Sequence, residues 1–109
     1  MLVSGEQHQY DISFSYYTIN DPRRGTRRVV VARVQVYDGN NRLEQTVVAD
    51  DGDLQPATIL RGRAITAPSD HYRKSYGRKL ALKRAIVHLP ADRRRDIWHG
   101  LFNLGFRKQ

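Results

Sequence analysis

The hydrophobic pattern of this chain changes period near residue 67, and few fold classes accommodate that change. Before it, Tyr10–Tyr16 alternates apolar and polar side chains without a fault, as a strand with one buried face does. After it, a helical pattern runs to about His88, and a second one follows Pro90. This order predicts an α+β fold, in which an antiparallel sheet of about four strands precedes two C-terminal helices packed on one face.

The length of 109 residues predicts a single domain with three parts. Residues 1–9 are expected to be flexible, residues 10–66 to form a β-meander, and residues 69–104 to form the two helices. No internal repeat or low-complexity linker interrupts this order. One hydrophobic core is therefore expected.

The strands of the meander are predicted from composition and turn chemistry. Val29–Tyr37 is rich in β-branched residues, Asp38–Asn41 is a strong hairpin signal, and Leu43–Val48 is expected to return as the partner strand. Thr58–Thr66 predicts a fourth strand. Gly62 within it marks either a bulge or a place where another backbone comes close.

The charge of the chain indicates a class of partner. Lys and Arg number 19 against 11 Asp and Glu, which gives a formal net charge of +8. Most of the excess is arginine, which binds phosphate bidentately. We therefore expect nucleic acid as the partner. An acidic or nucleic-acid-binding protein surface is the alternative, and solubility or genomic composition would also account for a basic chain.

The absence of cysteine excludes disulfides, thiolate nucleophiles and Cys-rich zinc modules. No window approaches the ~20 apolar residues of a membrane span. The segment Met1–Glu6 lacks the basic and apolar regions of a secretory signal. These features predict a cytoplasmic protein with no membrane partner.

Basic pairs recur at five-residue intervals along the first predicted helix. Five residues turn the helix by about 140°, so the pairs spread around the cylinder. Lys79 and Lys83 fall within the apolar arc and need stems that reach water. A solvated helix face is one interpretation of these charges. The other is contact with phosphates, for which the predicted residues are Arg73, Lys74, Arg78, Lys79, Lys83 and Arg84.

A second basic cluster surrounds the first predicted turn. Asn20–Gly25 contains the Asn, Asp, Pro and Gly residues that turns favour. The arginines in and beside it would lie at a loop tip, accessible to a nucleic-acid backbone. The predicted phosphate contacts of this hairpin are Arg23, Arg24, Arg27 and Arg28.

Aromatic and small residues allow two interpretations each. Tyr10, Phe14 and Tyr16 share one strand face and form either the core beneath the helices or a platform for unpaired bases. Gly77, Ala81 and Ala85 form a small stripe that permits close approach of the sheet, of the second helix or of a phosphate. Tyrosines that border the apolar pattern are possible stacking or interface residues, namely Tyr17, Tyr37, Tyr72 and Tyr76.

No residue pattern identifies a catalytic or metal site. The histidines lack metal-ligand spacing, and the acidic segment Asp50–Asp53 lacks the distal glutamate of a calcium loop. No nucleophile elbow or phosphate-binding Gly loop is present. We therefore expect a protein that is not an enzyme and that has no cofactor.

The segment Gly77–Ala85 resembles the last helix of double-stranded RNA-binding domains. Arg78 and Lys79 match that family's paired basic residues, and Ala81 and Ala85 match its packing alanines. The resemblance implies that Arg78 and Lys79 contact phosphates across a major groove. The chain departs from the family because no amphipathic helix precedes the strands.

The C-terminal part of the chain is similar to the ending of small basic proteins encoded by bacteriophages and prophages. The resemblance rests on Gly77–Ala85, followed by Pro90 and Arg95–Trp98. It implies a phage accessory protein that acts on nucleic acid or on host machinery in the host cytoplasm. We therefore expect a backbone-dominated, weakly sequence-specific nucleic-acid-binding protein. The alternative is an inhibitor, similar to anti-CRISPR proteins, that binds host or defence machinery through its basic surface.

Overall fold

The computed structural model describes residues 1–6, 8–23, 25–49, 51–65 and 74–105. Over these ranges the chain forms a five-stranded antiparallel sheet, a separate two-stranded sheet and two C-terminal helices. The predicted α+β class is confirmed. In chain order the elements are β1 (Leu2–Ser4), β2 (Gln9–Asp21), β3 (Gly25–Asp38), β4 (Asn41–Leu43), β5 (Gln45–Val48), β6 (Leu54–Ala57), β7 (Leu60–Ile65), α1 (Lys74–Ala85) and α2 (Ala91–Asn103).

A long hairpin of β2 and β3 defines the two faces of the sheet. Its register runs from Gln9 opposite Tyr37 to Asp21 opposite Gly25. Because side chains alternate along a strand, even-numbered positions of both strands share one face. We call this the inner face, and the face with the odd-numbered positions the outer face. The inner face of β3 is buried at Val30, Ala32, Val34 and Val36.

Two strands share the edge of β3 that lies away from β2. β4 pairs with Val36–Asp38, whereas β7 pairs with Val29–Val34. The expectation that Leu43–Val48 pairs with β3 is therefore wrong beyond Leu43. The strand β7 takes that edge because its alternate residues Leu60 and Ala64 are apolar and complete the buried inner face.

The strands β5 and β6 form a small hairpin, which we call the β5–β6 arm. Val48 and Leu54 lie opposite each other in it and are 48% and 71% exposed. In its turn, the Asp53 N–H donates to the Asp51 carboxylate at 3.0 Å. The predicted acidic loop is thus the turn of a hairpin, with Asp50 outside the described residues.

The N-terminal segment contributes a strand that the sequence did not predict. β1 pairs with β2, and Val3 opposite Tyr10 is fully buried in the core. Residues 1–9 were expected to be flexible, because one apolar residue among polar ones shows no periodicity. The strand is held instead by its pairing and by the contact of Val3 with Gly100 of α2.

Small residues bring α1 close to β7. A Cβ atom at Gly62 would collide with the backbone of Ala81 and Ala85, so the helix rests directly on the strand at this point. The packing interpretation of the small stripe is confirmed, as is the close approach predicted at Gly62. The helix ends at Ala85 and a turn follows, slightly before the predicted end near His88.

The helix α2 follows Pro90, as predicted, and packs its apolar stripe only in part. Ile97 and Leu101 are fully buried in the core, Trp98 packs against it, and Phe102 is 67% exposed. Neither α1 nor α2, as described, combines the length and apolar character that a bilayer crossing requires.

Candidate nucleic-acid interface

The predicted basic residues of the first hairpin lie around its turn and divide between the two faces. Arg23 is exposed, and its backbone N–H donates to the Asp21 carboxylate at 2.9 Å. Arg27 lies on the outer face, half-buried, with its guanidinium 3.9 Å from Asp21. Arg28 is exposed on the inner face, beyond the helices. Arg24 lies outside the described residues.

The basic residues of α1 divide between core and surface. Lys79 is only 8% exposed, and Arg78 is half-buried with its Nε inside the protein. Lys83 and Arg84 are exposed. The apolar arc is centred on Leu82 and Ile86, so Lys79 lies within it, as predicted, whereas Lys83 lies outside it.

The remaining predicted helix residues lie at or before the start of α1. Lys74 is its first residue, and Arg73 and Tyr72 lie outside the described residues. Tyr76, two residues further along, is 61% exposed. The predicted helix surface is therefore described only from its middle to its C-terminal end.

The exposed end of α1 is joined to the edge of the sheet. The Arg84 guanidinium donates a hydrogen bond to the carbonyl oxygen of Arg63 at 2.7 Å. This contact uses a backbone acceptor of β7, which pairs with β3 on one side only within the described sheet. The C-terminal end of α1 therefore lies next to the edge of the sheet that β7 forms.

The outer face of the sheet carries a basic surface that the sequence analysis missed. Arg33 of β3 lies directly opposite Arg61 of β7, and Arg63 lies two residues along the same strand. Arg42 of β4 lies opposite Tyr37 on the same face. We call the residues Arg33, Arg42, Arg61 and Arg63 the arginine face.

No carboxylate interrupts the arginine face on its own strands. The outer-face positions of β3, β4 and β7, all within the described ranges, hold no Asp or Glu. The nearest acids on that face belong to β2, at Asp11 and Asp21 near its two ends. Asp11 lies 3.5 Å from the Met1 ammonium and Asp21 lies near Arg27. The positive charge of the face is therefore not neutralised from within.

The facing pair Arg33 and Arg61 is an unfavourable element of the sheet. Like charges directly opposite on neighbouring strands repel. The Arg33 guanidinium turns towards β2 and donates to the Ser15 hydroxyl at 2.9 Å, while Arg61 is exposed. A bound anion would relieve this repulsion, since both guanidinium groups could donate to it.

An apolar row borders the arginine face on the side of the hairpin turn. Tyr17 lies opposite Val29, and Val29 lies opposite Ile65, so the row crosses β2, β3 and β7. Val29 is fully buried, whereas Tyr17 is 44% and Ile65 38% exposed. We call these residues the apolar row. An aromatic ring and aliphatic side chains thus lie beside a set of arginines.

The opposite end of the arginine face also has an aromatic residue. The Arg42 guanidinium carbon lies 6.0 Å from the centre of the Tyr37 ring. The Tyr37 hydroxyl donates to the Gln35 side-chain oxygen at 2.8 Å. Tyr37 is half-buried, so its predicted exposure is only partial.

The aromatic residues of the inner face divide between core and surface. Tyr10 is fully buried and Phe14 packs against the core, whereas Tyr16 is 42% exposed. The core interpretation of the Tyr10–Tyr16 strand therefore holds for its first two aromatic residues. Tyr16 lies beyond the part that the helices cover.

A separate cleft of about 490 Å³ lies between the β1–β2 connection and α2. The Asp96 carboxylate accepts the Glu6 N–H at 3.0 and 3.1 Å and the Tyr10 hydroxyl at 3.3 Å. Burial, together with the nearby Asp96 carboxylate, raises the pKa of Tyr10 to about 12. Asp96 is engaged by these donors, so it holds the N-terminal connection on α2.

The cleft and the rest of the described chain offer no metal centre. No three His, Asp or Glu side chains among the described residues are grouped so that they could hold a metal ion. The expectation that the protein is not an enzyme stays a prediction.

A comparison with protein-family models, with curated proteins and with solved structures gives no match to this chain. The resemblances to phage-encoded proteins and to double-stranded RNA-binding domains therefore stay predictions.

Proposed function

We propose that this protein binds nucleic acid, mainly through backbone phosphates and with weak sequence specificity, and that the arginine face is its contact surface. One observation carries the proposal: Arg33, Arg61 and Arg63 lie side by side on the outer face, and the outer-face positions of β3 and β7 hold no carboxylate. Guanidinium groups bind phosphate oxygens bidentately. The net charge of +8 attracts a polyanion from a distance.

The predicted residues of the helix and the hairpin extend this surface at its margins. Lys83 and Arg84 are exposed at the end of α1 that adjoins β7, and Arg23 is exposed at the hairpin turn. Lys79 has too little exposed surface to serve as a main phosphate contact. Among the described residues, we therefore assign the main phosphate contacts to the sheet rather than to the helix.

The test compares two double variants of equal charge. Arg61→Ala/Arg63→Ala removes arginines of the arginine face, and Arg94→Ala/Arg95→Ala removes exposed arginines of α2. Binding to labelled DNA and RNA is measured by fluorescence anisotropy across a salt series. We expect the first variant to bind at least about ten-fold more weakly than the wild type. Its slope of log K against log salt should be shallower by about 1.5, as the loss of two phosphate contacts requires.

The α2 variant is expected to retain most of the affinity and of the salt slope. Equal losses in both variants would show that net charge alone draws the ligand, which would remove the arginine face from the proposal. Absence of binding to any nucleic acid at low salt would refute the proposed function.

An inhibitor of a nucleic-acid-handling protein is the second candidate. It is favoured by the neighbouring Tyr37 and Arg42, because tyrosine and arginine are the side chains that most often dominate protein interfaces. A stoichiometric protein complex that survives nuclease treatment would support it. Loss of every bound protein after nuclease treatment would support direct binding to nucleic acid.

A further inference from the structure

We infer that the outer face binds single-stranded nucleic acid in preference to a duplex, with an unpaired base stacked on Tyr17. This inference rests on the proposed function and adds the class of ligand. It is carried by the position of the apolar row next to the arginine face on the same three strands.

The order of residues along the strands supports a ligand with alternating chemistry. The row of Tyr17, Val29 and Ile65 is followed by the positions of Arg63 and then by the pair Arg33–Arg61. The apolar row and the arginine pair lie four residues apart, which is about 13 Å along a strand. Single strands offer exposed base planes and phosphates together, so they match an aromatic surface that borders a cationic one.

A duplex uses the same face less well. Its bases are stacked inside the double helix, so their planes cannot reach Tyr17. Its grooves are read by a projecting helix or a two-stranded ribbon, whereas the part of the outer face that carries Arg33, Arg61 and Arg63 is three strands wide. Both helices of the described chain pack on the inner face, and Tyr17, Arg61 and Arg63 are exposed on the outer face. A duplex could contact the arginines but would leave the apolar row unused.

The first measurement needs no variant. The wild-type protein is titrated with a single-stranded oligonucleotide of about 12 nucleotides, as DNA and as RNA, and with the blunt duplex of the same sequence. We expect the single strands to bind at least about five-fold more tightly than the duplex. Equal or tighter binding of the duplex overturns the inference and leaves the proposed function standing. Absence of binding to all of them contradicts the proposed function itself.

The second measurement tests the stacking residue. We expect Tyr17→Ala to bind single strands about five-fold or more weakly, with an unchanged salt slope, because a lost stacking contact releases no counterions. Tyr17→Phe should retain the wild-type affinity, because it keeps an aromatic ring. Tyr17→Leu should bind single strands as weakly as Tyr17→Ala, although it keeps an apolar side chain in the apolar row. The matched control is Phe102→Ala, which removes an exposed aromatic ring of α2.

Unchanged single-strand affinity in Tyr17→Leu overturns the inference, and so does an equal loss of affinity in Phe102→Ala. Circular dichroism and thermal unfolding confirm that each variant is folded before it is titrated. If Tyr17→Ala is unfolded, the single-strand affinities of Tyr17→Leu and Tyr17→Phe are compared instead, and equal affinities overturn the inference.

Discussion

At the scale of single residues, Tyr10 shows how one polar atom is accommodated inside the sheet layer. Its ring is fully buried in the core, while its hydroxyl reaches the Asp96 carboxylate at 3.3 Å. Such an arrangement favours the protonated phenol, because a phenolate would be desolvated beside a carboxylate. The pKa of Tyr10 is accordingly raised from 10.0 to about 12.

The raised pKa of Tyr10 predicts how stability changes in alkaline solution. The folded state holds the proton more tightly than the unfolded chain, so this contribution is complete below pH 10 and is lost as the pH rises towards about 12. Tyr10→Phe should cost about 1 kcal/mol near neutral pH, since a hydrogen bond is lost. The substitution should also remove the decrease in free energy of unfolding that the ionisation of Tyr10 causes above pH 10.

The measurement for Tyr10 is urea unfolding of both proteins from pH 7 to 12. All other ionisable groups are common to both proteins, so the difference in free energy of unfolding isolates Tyr10. The control is Tyr76→Phe, at an exposed ring. A wild-type–variant difference that stays constant above pH 10 would contradict the assignment.

Sequence could not predict the Tyr10–Asp96 contact, since the two residues lie 86 positions apart and neither belongs to a motif. Burial of Tyr10 was accessible, because strict alternation around it indicates a buried strand face. The arginine face was accessible in the same way. Arg33, Arg61 and Arg63 occupy polar positions of strands and do not form consecutive basic pairs, which are the pattern on which the predicted phosphate contacts depend.

At the scale of elements, the contact between α1 and β7 depends on small residues on both sides. Gly62 is enclosed by the backbone of Ala81 and Ala85, so the helix axis lies unusually close to the strand. The sequence indicated a close approach as one of two interpretations at Gly62, and the small residues that recur at helical spacing left the sheet, the second helix or a phosphate as the partner. Where such spacing exists on both partners, element packing is predictable from sequence.

Gly62→Ala should destabilise the protein by about 1–3 kcal/mol, because the added Cβ atom would meet backbone atoms of α1 that cannot rotate away. Urea unfolding measures the change, and Ser13→Ala, at an exposed position of the outer face, is the control. Wild-type stability of Gly62→Ala would show that the helix is free to move off the strand.

The sequence predicted the wrong partner for β5, which pairs with β6 and not with β3. Leu43–Val48 has strand composition, but composition does not name a partner, and local turn chemistry favoured the preceding strand. The strand β7, rather than β5, pairs with this edge of β3, because Leu60 and Ala64 of β7 pack into the core that the helices cover. Such a choice depends on the assembled core and is not encoded in either segment alone.

At the scale of the whole molecule, the sheet and the β5–β6 arm differ in how they are held. β3 pairs with neighbours on both edges and supplies much of the core. The strands β5 and β6 pair only with each other in the described sheets, and Val48 and Leu54 are exposed. The arm contacts the core through Val47, and Arg93 of α2 donates to its Gln45 side chain at 3.3 Å. Because no strand pairing within the described residues joins the arm to the main sheet, it should open at a lower free energy than the sheet.

Native-state hydrogen exchange should reveal this difference. Backbone amides of Val30–Val36 should exchange only through global unfolding, whereas those of Gln45–Val48 and of Leu54, Gln55 and Ala57 should exchange through local opening. We expect protection to differ by at least about ten-fold between the two sets. Equal protection would show that the arm unfolds together with the sheet.

The fixed register of β2 and β3 has a consequence for how this protein can change over generations. Side chains of the inner and outer faces alternate along the same strands, with even positions of β3 on the inner face and odd positions on the outer face. Substitutions at odd positions such as Arg33 would change the proposed binding face and leave the buried side chains of the inner face unchanged. A one-residue insertion or deletion within β3 would move the side chains beyond it to the opposite face of the sheet, which would disrupt the core and the outer face together.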